Sequence, residues 1–369
     1  RPTLLIADGP TTARDVTIQA QILARRDELQ REMGMALLCI THDLNLVRRY
    51  ADRVGVMERG RLVETGPTAQ VFGQPQHAYT RRLLASRPQR VVHEVAADAP
   101  VLLAARDVRV EFASSAGWFG SKRVRVAVDA ATLELRRGGT LGIVGESGSG
   151  KTTLGLALLG LLGGAGGPTG GRAVLHGPGG GIDLLRLPRR AWRPLRRRVQ
   201  IVFQNPYASL NPRFTIGRTL VEPMAIHGLG AGRADRERRA AALLARVGLD
   251  DSALGRYPHE FSGGQRQRIA IARCLTLEPE LLLLDEPVSA LDVSVQAQVL
   301  NLLQDLQDEL GLAYVFISHD LAVVRFIADD VLVMKDGVAV EHAPAAQLLA
   351  APRHDYTRRL LAAVPHGWS

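Results

Sequence analysis

The chain of 369 residues predicts an α/β fold with a parallel sheet. Short apolar runs, such as residues 281–284 and 313–317, alternate with longer stretches of helical spacing, such as residues 294–310. Strands that alternate with helices are typical of parallel sheets. Polar residues follow the apolar runs directly, at the strand ends where such sheets carry their chemistry. An internal repeat further predicts that part of this fold occurs twice.

The repeat relates the two ends of the chain. Residues 1–84 align with residues 278–361 without a gap, at a constant offset of 277. Residues 79–84 and 356–361, for example, both read YTRRLL. A repeat of this length predicts a duplicated domain. Because the first copy matches only the C-terminal part of the second, we expect about 180 residues of it to lie outside this chain.

The repeat and the composition predict three segments. Residues 1–84 form a partial first domain, and residues 85–100, with Pro88 and Pro100, read as a linker. A complete second domain follows over residues 101–369, with a mainly helical part at about 205–275.

Residues 145–153 read GESGSGKTT and match the phosphate-binding pattern G-x-x-x-x-G-K-[ST] at every fixed position. An apolar stretch suited to a strand precedes the motif, and a stretch suited to a helix follows it. The glycines let backbone N–H groups turn toward a phosphate, and the helix N-terminus adds its positive dipole end. Lys151 would neutralise the β and γ phosphates, and the Thr152 hydroxyl would ligate Mg²⁺.

Composition narrows the class of protein. No apolar run reaches the roughly 20 residues that span a bilayer. The two cysteines exclude a disulfide framework and a cysteine-based zinc site within the chain. The net charge of +9 admits nucleic acid or an anionic membrane as a partner, but we interpret the arginine-rich residues 186–198 as a solvated face.

Four further motifs follow the phosphate loop in order. They are Gln204 at a strand end, SGGQ at 262–265, LDEP at 284–287 with SALD at 289–292, and His319 at another strand end. Together with the loop they resemble the nucleotide-binding domain of ABC ATPases, which SGGQ separates from other phosphate-loop enzymes. The resemblance covers the whole domain over residues 101–350. Residues 1–75 resemble the C-terminal half of the same domain a second time. The resemblance implies a P-loop NTPase fold with a parallel-sheet core and a helical subdomain, preceded by the C-terminal part of a second such domain.

Longer matches narrow the resemblance. Residues 204–213 (QNPYASLNPR), residues 257–262 (YPHEFS) and the tails at 77–83 and 354–360 resemble the ATPases of oligopeptide, dipeptide and nickel importers. Some members of that family carry both ATPase domains in one polypeptide, as the duplication here implies.

The resemblance implies roles for single residues. Glu286 would polarise the attacking water, and His319 would bridge water, phosphate and the partner domain. Lys151 and Gln204 complete the implied catalytic set, while Thr152, Gln204 and Asp285 would hold Mg²⁺. The implied ATP contacts are Gly145, Ser147, Gly148, Ser149, Gly150, Lys151, Thr152, Thr153, Phe112, Ser262, Gly263 and Gly264. Of these, the Ser262 to Gly264 segment would contact ATP bound to the other domain.

Two assignments stay open. Phe112 stands where the family stacks an aromatic ring on adenine, but it could equally be a core residue, with Trp118 or Phe119 in its place. The first copy has Gly9 and Arg14 where the second has Glu286 and Leu291. Since glycine cannot orient water, these departures indicate either a degenerate site in a heterodimer or sequence decay.

The resemblance implies an ATP-hydrolysing subunit that energises an importer for peptides or a similar small solute. It implies a peripheral place at the cytoplasmic face of the cell membrane, with transmembrane permease subunits as partners. A second ATPase domain would complete the site, from a homodimer or from the missing N-terminal half, and an extracytoplasmic solute-binding protein would take part indirectly. We expect no nucleic-acid partner. The alternatives are a soluble ABC ATPase that acts on nucleic acid or ribosomes, and a non-catalytic remnant.

Overall fold

A computed structural model describes residues 3–8, 28, 32–41, 44–85, 95, 98–115, 122–162 and 166–363. The expectations for Gly9, Arg14, His42, Trp118 and Phe119 therefore lie outside the described residues.

The strands and helices assigned in these ranges are labelled in chain order. The strands are β1 (Leu4–Asp8), β2 (Ala36–Ile40), β3 (Arg53–Glu58), β4 (Arg61–Pro67), β5 (Val101–Ser115), β6 (Lys122–Arg136), β7 (Thr140–Val144), β8 (Gly166–Gly177), β9 (Gly180–Asp183), β10 (Val199–Val202), β11 (Leu281–Asp285), β12 (Ala313–Ser318), β13 (Asp330–Lys335) and β14 (Val338–Pro344). The helices are α1 (Leu44–Tyr50), α2 (Thr68–Gly73), α3 (Ala78–Ala85), α4 (Lys151–Leu158), α5 (Trp192–Arg198), α6 (Pro206–Ser209), α7 (Ile216–Ile226), α8 (Arg233–Arg246), α9 (Gly263–Leu275), α10 (Val293–Leu310), α11 (Leu321–Ile327), α12 (Ala345–Ala350) and α13 (Asp355–Ala363).

A ten-stranded mixed sheet runs in the order β10-β11-β12-β7-β13-β14-β6-β5-β8-β9. The strands from β10 to β13 in this order are parallel to one another, and the hairpin β13–β14 and the pairs among β6, β5, β8 and β9 are antiparallel. The predicted α/β fold is confirmed, but only half of the ten-stranded sheet, from β10 to β13, is parallel. The parallel strands are buried on both faces and read as continuous apolar runs, whereas the antiparallel strands carry polar and glycine residues and gave a weaker signal.

The antiparallel half differs most from expectation. The alternation of residue types predicts strands over residues 108–112 and 127–135. In the structure these strands extend over residues 101–115 and 122–136, and the pair β5–β6 shifts its register at several bulges. The glycine-rich residues 163–181 predict a loop and hairpin from the sequence. In the structure this segment includes the twelve-residue strand β8, which pairs with β5. A β-carbon at Gly166 would lie 2.1 Å from the Phe112 ring, so glycine here makes room for that aromatic side chain.

Apolar layers cover both faces of the parallel half of the sheet. Alternate side chains of β11 divide between them, with Leu281 and Leu283 in the layer that contains α4, and Leu282 and Leu284 in the layer that contains α10 and α11. A third cluster joins α7, α8 and α9, which lie in the segment expected to be helical. The parallel strands are thus held rigidly, and their carboxyl ends provide a fixed platform for polar side chains.

The repeat is visible in the elements themselves. The strands β1 and β2 pair in parallel with the register of β11 and β12, and the hairpins β3–β4 and β13–β14 share a bulge at the same place. The packing differs between the copies. Leu4 and Ile6 are 50% and 60% exposed, whereas Leu281 and Leu283 are at most 2% exposed. Among the described residues, no helix combines the length and apolarity needed to cross a bilayer.

Glu280, just before β11, links the end of α5 to the segment that follows β6. Its carboxylate accepts hydrogen bonds from Arg198, at the end of α5, and from Arg137, whose Nη1 lies 2.9 Å away. The bond from Arg198 is the main cause that lowers the pKa of Glu280 below its ordinary value, against the opposing effect of burial. A lowered pKa contributes stability above the ordinary value of 4.5, and that contribution disappears as pH falls through the folded-state pKa.

We therefore expect Glu280→Gln to lower the free energy of unfolding by about 1 kcal/mol at pH 7, the upper end for a solvent-screened pair. The difference from wild type should shrink as pH falls below 4.5, and it should disappear once the folded-state carboxyl is protonated at its lowered pKa. Urea unfolding at pH 7 and near pH 3 measures both values. Glu309→Gln, which breaks the exposed pair with Arg246, is the control and should change less. A pH-independent loss in Glu280→Gln would contradict this account.

Candidate active site

The phosphate loop connects β7 to α4, and its backbone requires glycine. Gly145, Gly148 and Gly150 have φ angles of 150°, 80° and 98°, in the region that favours glycine. A β-carbon at Gly145 would lie 2.1 Å from the carbonyl oxygen of Met334, and one at Gly150 would lie 2.5 Å from a backbone oxygen. The loop is therefore pressed against neighbouring backbone, which fixes its shape before any ligand binds.

Lys151 lies beneath this loop and is 5% exposed. Its Nζ donates hydrogen bonds of 2.8 Å to the carbonyl oxygens of both Gly145 and Glu146, and lies 3.4 Å from Ser149 Oγ. Because α4 begins at Lys151, the N–H groups of the first helical turn lie beside the same ammonium. The loop thus concentrates positive potential where the sequence predicts phosphates.

Three adjacent strands bring the other predicted residues to this loop. Gln204 follows β10, Asp285 and Glu286 stand at the end of β11, and His319 follows β12, which pairs directly with β7. The sheet order therefore places residues that are far apart in sequence at one edge.

The contacts among these side chains are short. Thr152 Oγ1 donates to Asp285 Oδ1 at 2.9 Å, so the loop is tied to the end of β11. Glu286 is held on both oxygens: Gln204 Nε2 donates to Oε2 at 2.8 Å, and His319 Nδ1 lies 3.2 Å from Oε1. The carboxylate of Glu286 therefore has a defined direction.

The backbone of Glu286 adds to this definition. Its φ of 45° is left-handed, which is uncommon for a residue with a side chain. The N–H of Glu286 donates to Ile317 O at 2.9 Å, and its carbonyl oxygen accepts from Ser289 Oγ at 3.1 Å. Backbone of this kind is kept only where its surroundings enforce it, and it clusters at functional sites. Nothing in the linear sequence indicated it.

The site's carboxylates differ in their titration. Burial raises the pKa of Asp285, and repulsion from Glu286 adds to this effect while the hydrogen bond from Thr152 opposes it. Burial would also raise the pKa of Glu286, but the hydrogen bond and charge of His319, together with Lys151, outweigh it and lower that pKa. The hydrogen bond to Glu286 in turn raises the pKa of His319. Glu286 is thus kept ionised, and the neighbouring His319 imidazole is shifted toward its protonated, charged form.

A cleft of about 930 Å³ opens over the loop. Its lining consists of Phe112, Arg125, Val126, Ala127, Ser147, Gly148, Gly150, Lys151, Thr152, Thr153, Gln204, Glu286, Ser289, Ala290, His319, Asp336 and Gly337. Gly145, Ser149 and Asp285 are buried just behind this surface and support it.

The sequence did not predict two parts of the cleft wall. These are residues 125–127 of β6 and residues 336–337 in the turn between β13 and β14. The register of β5 and β6 pairs Phe112 with Arg125, so both side chains reach the cleft, and this pairing could not be read from either strand alone. Phe112 packs against Gly166 and lines the cleft, as an adenine-stacking ring would require.

The SGGQ segment opens α9 elsewhere on the surface. Ser262 accepts a hydrogen bond from Gln265 N at 3.3 Å, and Gln265 Oε1 accepts one from Ser262 N at 3.0 Å, which together form a capping box. Ser262 and Gly263 are exposed, while a β-carbon at Gly264 would lie 2.2 Å from Val295. None of these residues lies among those that line the cleft within the described part of the chain.

The oxygen atoms around Thr152 suit a hard cation. The Thr152 hydroxyl, the Asp285 carboxylate and the Gln204 amide oxygen are the ligand types that Mg²⁺ prefers. The described residues contain no group of three or more His, Cys, Asp or Glu side chains that could hold a metal ion on its own. The three named side chains include one carboxylate, and Mg²⁺ is usually bound by one or two carboxylates together with substrate phosphates and water.

Comparison with known families identifies two matching regions. Residues 128–289 match the ABC transporter family, and residues 63–98 and 340–367 match the C-terminal region of the oligopeptide/dipeptide transporter family.

Curated relatives match almost the whole chain. It is 51% identical over 364 residues to the peptidoglycan transport ATP-binding protein YejF of Agrobacterium fabrum (98% of this chain, 65% of that protein). It is 47% identical to the ABC transporter ATP-binding protein YejF of Escherichia coli K12 (98% and 67%), and 48% identical to the glutathione import ATP-binding protein GsiA of Salmonella typhi (99% and 62%). The chain thus spans about two thirds of the length of these relatives.

Solved structures show the same architecture. The bacterial ABC transporter cassette MJ0796, described as dimeric, superposes with a TM-score of 0.57 at 28% identity, covering 66% of this chain and 99% of that one. The protein cbiO1 of Clostridium perfringens, part of the ABC transporter complex cbiONQ, superposes with a TM-score of 0.56 at 26% identity, covering 68% and 91%.

Proposed function

The chain belongs to the ATP-binding proteins of ABC transporters, in their oligopeptide and dipeptide branch, and from this membership we propose that it binds ATP with Mg²⁺ and hydrolyses it to energise solute import. The observation that carries the proposal is the meeting of Lys151, Thr152, Gln204, Glu286 and His319 in one cleft. The relatives are named for peptidoglycan transport and glutathione import, which supports a peptide or a similar small solute. The match to this branch favours an importer over the nucleic-acid and ribosome alternative.

In this proposal the loop binds the phosphates of ATP. Lys151, now bonded to loop carbonyl oxygens, would turn its Nζ toward phosphate oxygens and neutralise their charge. Thr152, Asp285 and Gln204 would hold Mg²⁺, which when bound neutralises charge on the β and γ phosphates. The ring of Phe112 would contact the adenine from the far wall of the cleft.

Glu286 would act on the attacking water. Its carboxylate is ionised, it lines the cleft, and Gln204 and His319 fix its orientation. A water held there could transfer a proton to Glu286 as it attacks the γ-phosphate. His319, which touches the same carboxylate, would keep the water and the base aligned.

The SGGQ segment supports an assembly of two ATPase domains. Because Ser262 and Gly263 are exposed at a helix start and do not line the cleft, they would contact ATP held by another domain. The dimeric structure of MJ0796 supports an assembly of two such domains. The partners proposed outside the ATPase are transmembrane permease subunits and, indirectly, an extracytoplasmic solute-binding protein, with the chain at the cytoplasmic face of the membrane.

Binding of ATP tests the proposal directly. We expect Lys151→Ala to raise the Kd for Mg²⁺–ATP by about 10- to 100-fold, as loss of a hydrogen bond to a charged group does. Calorimetric titration measures the Kd, and Arg233→Ala, which removes a side chain 87% exposed on α8, is the control. Tight binding by Lys151→Ala, or none by the wild type, would count against an ATP site in this cleft.

A further inference from the structure

The first peptide of the phosphate loop is held from two sides. On one side, the carbonyl oxygen of this Gly145–Glu146 peptide, which is that of Gly145, accepts a hydrogen bond from Lys151 Nζ, and the same Nζ also donates to the carbonyl oxygen of the next peptide, that of Glu146. On the other side, the N–H of Glu146 donates a 3.0 Å hydrogen bond to the hydroxyl oxygen of Tyr356. Tyr356 belongs to the C-terminal tail, 210 residues further along the chain, and is 4% exposed.

The tail is built to hold Tyr356 in one place. The Glu341 carboxylate, on β14, accepts from the backbone N–H groups of Arg353 and His354 at 2.8 and 3.0 Å. The Nδ1 atom of His354 then accepts from the backbone N–H of Tyr356 at 3.1 Å. The Tyr356 ring packs in the same apolar cluster as Leu360, and Lys335 Nζ lies 5.4 Å from the ring centroid. The hydroxyl therefore reaches the loop from a rigid base.

We propose that Tyr356 is a positioning residue, whose hydroxyl fixes the Gly145–Glu146 peptide and so couples the C-terminal tail to nucleotide affinity. The inference rests on the proposed function, because it concerns ATP binding at the same loop. When Lys151 turns toward a phosphate, its bonds to the two carbonyl oxygens weaken or are shared. The hydrogen bond that the Glu146 N–H donates to Tyr356 lies on the opposite side of the Gly145–Glu146 peptide, so it persists and keeps the loop in its binding shape.

The first copy contains the same tail turn, but it has no phosphate loop in this chain for the tyrosine to contact. There the Glu64 carboxylate accepts from the N–H groups of Gln76 and His77 at 2.8 and 3.0 Å, and Tyr79 N donates to His77 Nδ1 at 3.1 Å. The same turn is thus built around Tyr79, in a copy whose sequence within this chain contains no phosphate loop. Tyr79→Phe is therefore a matched control, since it removes the same atom from the same local structure.

The test uses the full chain and ADP with Mg²⁺ as the probe. We expect Tyr356→Phe to raise the Kd for ADP roughly 3- to 10-fold, the effect of one lost hydrogen bond, and Tyr79→Phe to leave it unchanged. Amide hydrogen exchange should speed up at Glu146 in Tyr356→Phe only, a local readout that general destabilisation would not single out. The unfolding midpoint without nucleotide should stay within about 4 °C of wild type.

The outcomes distinguish the two proposals. If wild type binds ADP and Tyr356→Phe binds it equally tightly, the positioning role is wrong while the ATP site stands. A Tyr356→Phe chain too unstable to titrate, beside a stable Tyr79→Phe chain, would make Tyr356 a structural residue and also overturn the inference. If the wild-type chain does not bind ADP, both proposals fail together.

Discussion

Glu286→Gln is expected to lower ATP hydrolysis by at least about 100-fold while ATP binding persists. The side chain keeps its size and can still contact Gln204 and His319, but an amide cannot accept the proton of the attacking water. The pKa of Glu286 lies below its ordinary value, so the wild-type carboxylate is ionised at neutral pH and carries no proton that would prevent it from accepting one. Since binding depends on Lys151 and the loop, the Kd for ATP should change little.

Phosphate release and calorimetric titration measure the two quantities separately. Glu309→Gln makes the same chemical change at an exposed ion pair on α10 and should behave like wild type. Wild-type hydrolysis by Glu286→Gln would show that another group activates the water. Loss of ATP binding would instead show that Glu286 supports the shape of the cleft.

The sequence predicted best the elements that are buried on both sides. The apolar runs at β11 and β12 indicated parallel strands, and the polar residues that follow them indicated the functional edge. The antiparallel strands were underestimated because their residues face solvent or a ligand cleft on one side. In β8, Gly166 weakens the strand signal, yet it is glycine because the Phe112 ring occupies the space of a β-carbon.

For the site as well, the sequence predicted residues in local motifs but not contacts between distant segments. Linear motifs predicted Lys151, Gln204, Glu286 and His319 as site residues, because each stands at a fixed place in a strand–loop pattern, and the structure places all four in one cleft. The wall residue Arg125 depends on cross-strand register, and the contact from Tyr356 to Glu146 depends on how a distant tail folds back. Such contacts arise from tertiary packing, which a single sequence does not encode in any local pattern.

Hydrolysis by the isolated chain is expected to require two copies. A complete site needs the cleft residues of one domain and the SGGQ helix start of another, and the described cleft does not include Ser262. Residues 1–84 contain neither a phosphate loop nor an SGGQ motif, so they cannot complete the site within one chain. Two chains that pair head to tail would each supply what the other needs. The rate per molecule should therefore rise with protein concentration, since dimerisation follows mass action.

A mixing experiment tests this pairing. Lys151→Ala removes the phosphate contact and Ser262→Arg blocks the helix start, so each variant alone should be nearly inactive. In a mixed dimer, the intact cleft of the Ser262→Arg chain faces the intact helix start of the Lys151→Ala chain, and one working site is restored. Because Ser262 also caps α9, the unfolding midpoint of Ser262→Arg must be measured beside its activity. Phosphate release across a dilution series, and then for the mixture, gives the result. A specific activity that stays constant to well below micromolar concentration, with no recovery on mixing two folded variants, would rule out head-to-tail pairing.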